Sequence, residues 1–210
     1  MSADEPILGS LAHVSVLNQS CFEDALNSIL AQKLASAEAP AMLLRQVFDS
    51  LVADDAQIGI AARADLTAVC ERDPACKSPM EALLFFKGFH AVQAYRLAHA
   101  LLQQRRRALA LYLQSRAALV FGIDINPAAR LGSGIMIDHG TGVVIGETAV
   151  VENGVSMLQG VTLGGTGKHD GDRLVRGCCF FGRPLSSAMI TSMIPMKGPS
   201  FGFTGGFDRR

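Results

Sequence analysis

The chain has no excess of either charge, no long apolar run and no recognisable cysteine pattern, and each absence removes a class of protein. Across 210 residues, 19 Lys and Arg balance 19 Asp and Glu. Residues 174–210 carry five of the basic residues (Arg176, Arg183, Lys197, Arg209, Arg210) against one acid, Asp208, which leaves 14 basic and 18 acidic residues in 1–173. The body is thus mildly acidic, which argues against nucleic-acid binding. No run of about eighteen apolar residues exists, so no membrane span is expected. The opening MSADEPILGSL has acids where a leader peptide carries Arg or Lys, so no leader is expected. The five cysteines (Cys21, Cys70, Cys76, Cys178, Cys179) are scattered and odd in number, and adjacent Cys178 and Cys179 do not match zinc spacing. Reduced thiols in a cytoplasmic protein are expected.

Half of the chain is apolar, enough for a substantial core. Residues 20–122 read as helical. Phe22, Leu26, Ile29 and Leu30 share one face, and Leu43, Val47 and Leu51 repeat that spacing. Pro40 suits a first helical turn, Arg72-Asp73-Pro74 marks a break, and the basic knot Arg105–Arg107 suits a helix end.

A six-residue beat then takes over. Aliphatic residues fall at Ile125, Leu131 and Ile137 and, after a two-residue slip, at Ile145, Val151, Met157 and Leu163. Helices repeat at about 3.6 residues and strands at about 2, so neither produces this pattern. Hexapeptide repeats indicate a β-helix, in which three short strands complete each coil. Twelve of 21 glycines lie between Gly122 and Gly171, where such a coil needs its corners. The strands are expected over 125–167, with the seven beat residues facing inward. Beyond Arg173 the beat is absent, and residues 174–210 read as a tail foreign to the domain before them.

The slip itself reads Ile137-Asp138-His139-Gly140-Thr141-Gly142. An inserted pair bulges from the coil, and a histidine presented there beside an acid is either a general base or a turn residue bonded to backbone. Asp124 opens the first hexad, where a coil brings it back toward His139. Carboxylate, imidazole and an acceptor hydroxyl suit base-assisted acyl transfer. A zinc enzyme on a similar coil would need three converging histidines. The beat holds His139, with His169 just beyond, so no metal is expected.

Three segments in order, RDPAC at Arg72–Cys76, KGFHAVQAYRLAHAL at Lys87–Leu101 and FGIDINPAARLGSGIMIDHGTGVVIGETAVVENGVSMLQGVTLGGTG from Phe121 to Gly167, resemble serine acetyltransferase. The resemblance spans about residues 5–173. It implies an α+β chain: an all-helical domain over 1–120, which carries oligomer contacts, and a left-handed parallel β-helix over 121–173, cut short before its later coils. The implied reaction moves an acetyl group from acetyl-CoA, the co-substrate, to the hydroxyl of L-serine for cysteine synthesis. His139 would be the base and Asp124 its supporting acid. Asp73 and Asp138 would receive the serine ammonium, and Arg173 its carboxylate. Homo-oligomers, as trimers or paired trimers, are implied. Three departures accompany the likeness. Asn126 stands where the family has a histidine, and Leu174 stands where a serine-holding histidine is expected. The C-terminal isoleucine that docks into the sulfhydrylase partner is replaced by Arg209-Arg210, so that complex is not expected. The resemblance assigns no acetyl-CoA-binding residues here. With the groove-forming coils replaced, weak activity is expected, and the alternative is a non-catalytic homologue that associates through its helices.

Overall fold

The structure is a computed structural model that describes residues 6–164; His169, Arg173, Leu174, Cys178, Cys179 and the 174–210 segment lie outside the described residues. Among the described residues seven α-helices precede seven short strands. The helices are α1 (Pro6–Ala12), α2 (Phe22–Leu34), α3 (Ala41–Asp54), α4 (Ala56–Arg72), α5 (Pro79–Phe85), α6 (Lys87–Gln103) and α7 (Arg107–Phe121). A π-helical turn, His13–Leu17, joins the first two. Helical structure therefore begins before the expected residue 20, where Ile7, Leu8, Leu11 and Val14 stand at helical spacing. Two sequence signals at the ends hold, since α4 stops at Arg72 and the arginine knot falls at the junction of α6 and α7, with Arg105 at φ 61°; Pro40, expected in a first helical turn, is instead the extended residue just before α3. Ser78 caps α5 by accepting from the Glu81 N–H at 3.4 Å, and Pro79 starts that helix.

Helix α6 organises the domain. Residues Gly88–Ala98 are buried on every side, the property of a helix at the centre of a core. It packs against α7, α3, α4 and α5, and its other side meets β1 and β3. One apolar cluster runs without interruption from Leu30, Phe48 and Phe89 through Ile123 and Ile145 to Leu163.

The strands are β1 (Ile123–Ile125), β2 (Arg130–Leu131), β3 (Met136–Ile137), β4 (Val143–Ile145), β5 (Val150–Val151), β6 (Ser156–Met157) and β7 (Thr162–Leu163). All pairings are parallel, and each strand pairs with the third one after it: β1-β4-β7, β2-β5 and β3-β6. That is the ladder pattern of a three-sided coil. The register records the slip. Ile123 pairs with Val143, twenty positions on, whereas Val144 pairs with Thr162, only eighteen on, which equals three hexads. Six of the seven beat residues are buried; Leu131 is the partly buried one. It sits where β2 lines a cavity of about 490 Å³ shared with Leu51, Tyr95 and His99, so the helices do not close over it.

Polar groups tie helices to coil at fixed points. Asp65 of α4 is fully buried and accepts from Arg96 Nε (2.8 Å) and Nη2 (2.9 Å), Gln93 Nε2 (2.9 Å) and the backbone N–H of Ile135 (2.8 Å). Arg96 Nη2 also donates to the Gly132 carbonyl at 2.8 Å. Tyr95 donates its hydroxyl proton to the Ala129 carbonyl (2.6 Å), and His99 Nδ1 lies 2.7 Å from the Pro127 carbonyl. Removing one partner of a buried pair leaves the other charged and dry, which costs ~3–5 kcal/mol. Asp65→Ala should lower the urea midpoint by an amount worth that much, and a change below about 1 kcal/mol would be the size of an exposed ion pair instead.

His90 of α6 is buried against the Phe121 ring, 5.7 Å between centroids, and its Nε2 lies 2.8 Å from the Leu83 carbonyl. The neutral ring donates there, and burial holds its pKa down to about 4 from 6.5. Between those values the unfolded chain binds a proton that the folded chain refuses. Stability is therefore full above about pH 6.5 and falls as pH drops toward 4, by roughly 3 kcal/mol for this one group. His90→Gln retains a donor without the charge, so its unfolding free energy should fall less over that window than the parent's.

Candidate active site

The slip becomes a tight turn between β3 and β4, with His139 at its tip. The Gly140 N–H donates to the Asp138 carbonyl at 2.6 Å, closing a three-residue turn whose central residue, His139, has φ 55°. Few side chains accept that conformation, and a three-residue turn with positive φ at its centre is rare and strained. Strain of this kind persists only where surrounding structure enforces it. Here Asp138 remains on the ladder through its N–H to the Met157 carbonyl (2.8 Å), and Gly142 hangs from the Gly122 carbonyl (2.8 Å). Gly140 lies directly over the core: a Cβ there would come within 2.5 Å of Ile123 Cδ1 and 2.7 Å of Ile137 Cγ2. The result holds the imidazole outward, 76% exposed, with its Nε2 3.8 Å from Asp138 Oδ1.

The N-terminus of α6 supports this turn from below. Lys87 donates from Nζ to the Thr141 hydroxyl. Gly88 packs so close to β3 that a Cβ would lie 1.9 Å from the Ile137 carbonyl oxygen. The KGFH segment thus contacts the slip turn on both sides of His139, at Ile137 before it and at Thr141 after it.

Asp124 lies on β1, in register with Val144 of β4, and is partly buried. Its Oδ1 accepts from Gln114 Nε2 of α7 at 2.7 Å. Among the described residues there is no hydrogen bond between Asp124 and His139; the acid nearest the imidazole is Asp138. Asp73 follows the last residue of α4. Its Oδ1 accepts from the Ala75 N–H at 2.8 Å. Its neighbour Arg72 reaches across to the coil, donating from Nη1 to the carbonyls of Gly134 (3.1 Å) and Gly154 (3.0 Å) and to the Ser156 hydroxyl (3.3 Å). The end of α4 is thereby pinned beside the turn that leads into β3 and so to Asp138. Arg173 lies outside the described residues. Among the described residues no group of three His, Cys, Asp or Glu side chains converges as metal ligands do, and no helix is long and apolar enough to cross a membrane.

Arg72, Lys87 and Gln114 have no assigned role in the sequence reading. Arg72 and Lys87 stand inside two of the quoted motifs, so a signal was available. Gln114 lies in an α7 segment without one, and only the packing of α7 on β1 identifies it.

A helical domain docked on parallel strands that pair every third one along, with a histidine where the six-residue repeat slips, is the arrangement of a hexapeptide-repeat protein. The family described as serine acetyltransferase, N-terminal, matches residues 1–94. Serine acetyltransferase 2 of Arabidopsis thaliana is 54% identical over 169 residues, 80% of this chain and 52% of its own length. The Escherichia coli K12 enzyme is 50% identical over 169 residues, 80% of this chain and 62% of its own. The crystal structure of Neisseria gonorrhoeae serine acetyltransferase matches with a TM-score of 0.80 at 48% identity, covering 82% of this chain and 69% of that one. The chain belongs to the serine acetyltransferase family. It spans about half the length of the plant relative.

Overpacking a core costs about 1–3 kcal/mol, and a Cβ at Gly88 meets backbone rather than a flexible tip. Gly88→Ala should therefore destabilise the fold by about 3 kcal/mol. A melting temperature equal to the parent's would show that α6 can withdraw from β3 without cost.

Proposed function

We propose that the protein is a serine O-acetyltransferase that moves the acetyl group of acetyl-CoA onto the hydroxyl of L-serine. The observation that carries this reading is the outward His139 on the slip turn, in a chain about half identical to serine acetyltransferases. A solved Brucella abortus serine acetyltransferase is in complex with coenzyme A, and a Neisseria gonorrhoeae one is in complex with serine. Acetyl-CoA is the co-substrate and no metal is required.

In this reading the His139 imidazole takes the serine hydroxyl proton as that oxygen attacks the thioester carbonyl carbon. The tetrahedral intermediate collapses with loss of coenzyme A thiolate, which receives the proton back from the imidazolium. Asp124 orients and supports the ring, while Gln114 holds its Oδ1. Asp138 and Asp73 take the serine ammonium and Arg173 its carboxylate. The Arg72 clamp supports this pairing, because it draws the α4 end toward the strand that Asp138 terminates.

The coil is read as a left-handed parallel β-helix over 121–173, behind a helical association domain over 1–120, with 174–210 as a separate tail. Exposed apolar side chains, Met42 and Leu43 on α3 and Leu119 and Val120 on α7, support self-association, and the family resemblance implies trimers or paired trimers in the cytoplasm.

Thiol release from acetyl-CoA in the presence of L-serine tests the reaction. His139→Ala should lower the rate by ~10²–10⁴ with the fold intact. Asp124→Asn should cost less, since it leaves the base in place. An unchanged rate in the His139 variant would place the base elsewhere.

A further inference from the structure

Two thiols bracket the turn that carries Asp73. Cys70 lies in the last turns of α4, three residues before Asp73, and Cys76 follows three residues after it. Their sulfurs are 3.8 Å apart, and Cys76 Sγ is also 3.3 Å from the Ser78 carbonyl oxygen. Both side chains are partly exposed. Between them the Pro74 carbonyl accepts from Lys77 Nζ at 2.7 Å, and the other short-range bonds involve Asp73. Its N–H donates to the Val69 carbonyl (3.0 Å), its own carbonyl accepts from Cys76 N–H (3.0 Å), and its Oδ1 accepts from Ala75 N–H (2.8 Å). The sulfur spacing and the position of the Asp73 carboxylate are therefore properties of one turn.

We propose that Cys70 and Cys76 form a reversible disulfide site, closed by low-molecular-weight disulfides and opened by thiols, whose state sets how well the Asp73 turn receives the serine ammonium. The second half of this statement rests on the serine acetyltransferase reading; the first does not.

Closure requires the sulfurs to approach from 3.8 Å to about 2.05 Å. That displacement cannot be shared equally. Arg72 pins the end of α4 to two successive coils, so the movement falls on residues 73–76, where the Asp73 carboxylate lies. A misplacement of about 1 Å at a substrate-positioning group can cost ~10²-fold in rate.

The exchange proceeds in two displacements. Burial, together with the hydrogen bond to Cys76, pushes the Cys70 thiol up to about 11, so Cys76 is the attacking residue. The Cys76 thiolate attacks one sulfur of the small disulfide and expels the first small thiolate. Cys70, losing its proton, then attacks the Cys76 sulfur of the mixed disulfide and expels the second. One protein S–S bond forms, one small S–S bond breaks, and the two protein protons leave on two small thiols. The protein loses two electrons, and the small disulfide gains them.

The protein is incubated with oxidised glutathione, free thiols are blocked with iodoacetamide, and trypsin is applied without reductant. Cleavage after Arg63, Arg72 and Lys77 separates the cysteines, so the expected product is peptide 64–72 joined to peptide 73–77, released by dithiothreitol. Recovery of the two peptides separately alkylated, or each bearing glutathione alone, overturns the site. In the linked protein KM for L-serine should rise about tenfold or more while KM for acetyl-CoA stays constant. Dithiothreitol should reverse the change, and Cys70→Ser and Cys76→Ser should be indifferent to the oxidant. An unchanged serine KM in linked protein overturns the coupling. If the reduced protein releases no thiol from acetyl-CoA, the acetyltransferase reading fails while the peptide result still decides the site. Amide exchange across 73–77 then decides the coupling, because equal exchange in linked and reduced protein would mean that the turn does not move.

Discussion

The buried pair of Asp65 and Arg96 is the contact on which the remaining geometry depends. Asp65 is inaccessible to solvent and Arg96 nearly so, and a charge pair in such a place stabilises only if its hydrogen-bonding capacity is met. Here both carboxylate oxygens are doubly engaged, and the acceptors and donors that complete the set come from the coil: the Ile135 N–H and the Gly132 carbonyl. Neither the helices nor the first coil can satisfy these groups alone. Docking is consequently specific in register as well as favourable. A shift of one strand position would strand a carboxylate and a guanidinium in the core.

The position of His139 follows from that docking. Once α4 and α6 are registered on the 129–135 corner, Gly88 meets Ile137 and Lys87 meets Thr141, so the α6 N-terminus props both sides of the slip turn. The turn tolerates positive φ at a histidine because both its ends are held by ladder bonds and Gly140 leaves no room for relaxation inward. A rigid scaffold thus holds an exposed imidazole in one place, which is what the proposed base requires. The Asp73 turn is built differently. It is fixed at one end by Arg72 and otherwise held by local bonds, so it is the more deformable of the two turns.

Much of this was readable before any coordinates. The beat at Ile125, Ile137, Ile145, Val151, Met157 and Leu163 is visible because each coil repeats the same inward position, and the slip is visible because it breaks that repeat. Leu131 obeyed the beat yet is only partly buried, since its environment is set by how α3 and α6 stand off from β2. The helical stretch before residue 20 is short, with seven residues in α1, and its signal is confined to the spacing of Ile7, Leu8, Leu11 and Val14. Gln114, which holds Asp124, was illegible because a glutamine on a helix surface has no sequence signature for the strand it will meet.

Periodicity and motif order determined that a helical region would be followed by a six-residue repeat, and that the histidine would sit where the repeat slips. These are local properties, written in the spacing of residues along the chain. Tertiary structure alone decided which carboxylates face which partners. Asp124 meets Gln114 rather than His139, Asp65 reaches Arg96 and Ile135, and Cys70 meets Cys76 across a turn. Such pairings depend on the relative placement of separate elements to within an ångström or so. That placement comes from the packing of α6 between the other helices and the coil, and no spacing within a single segment encodes it.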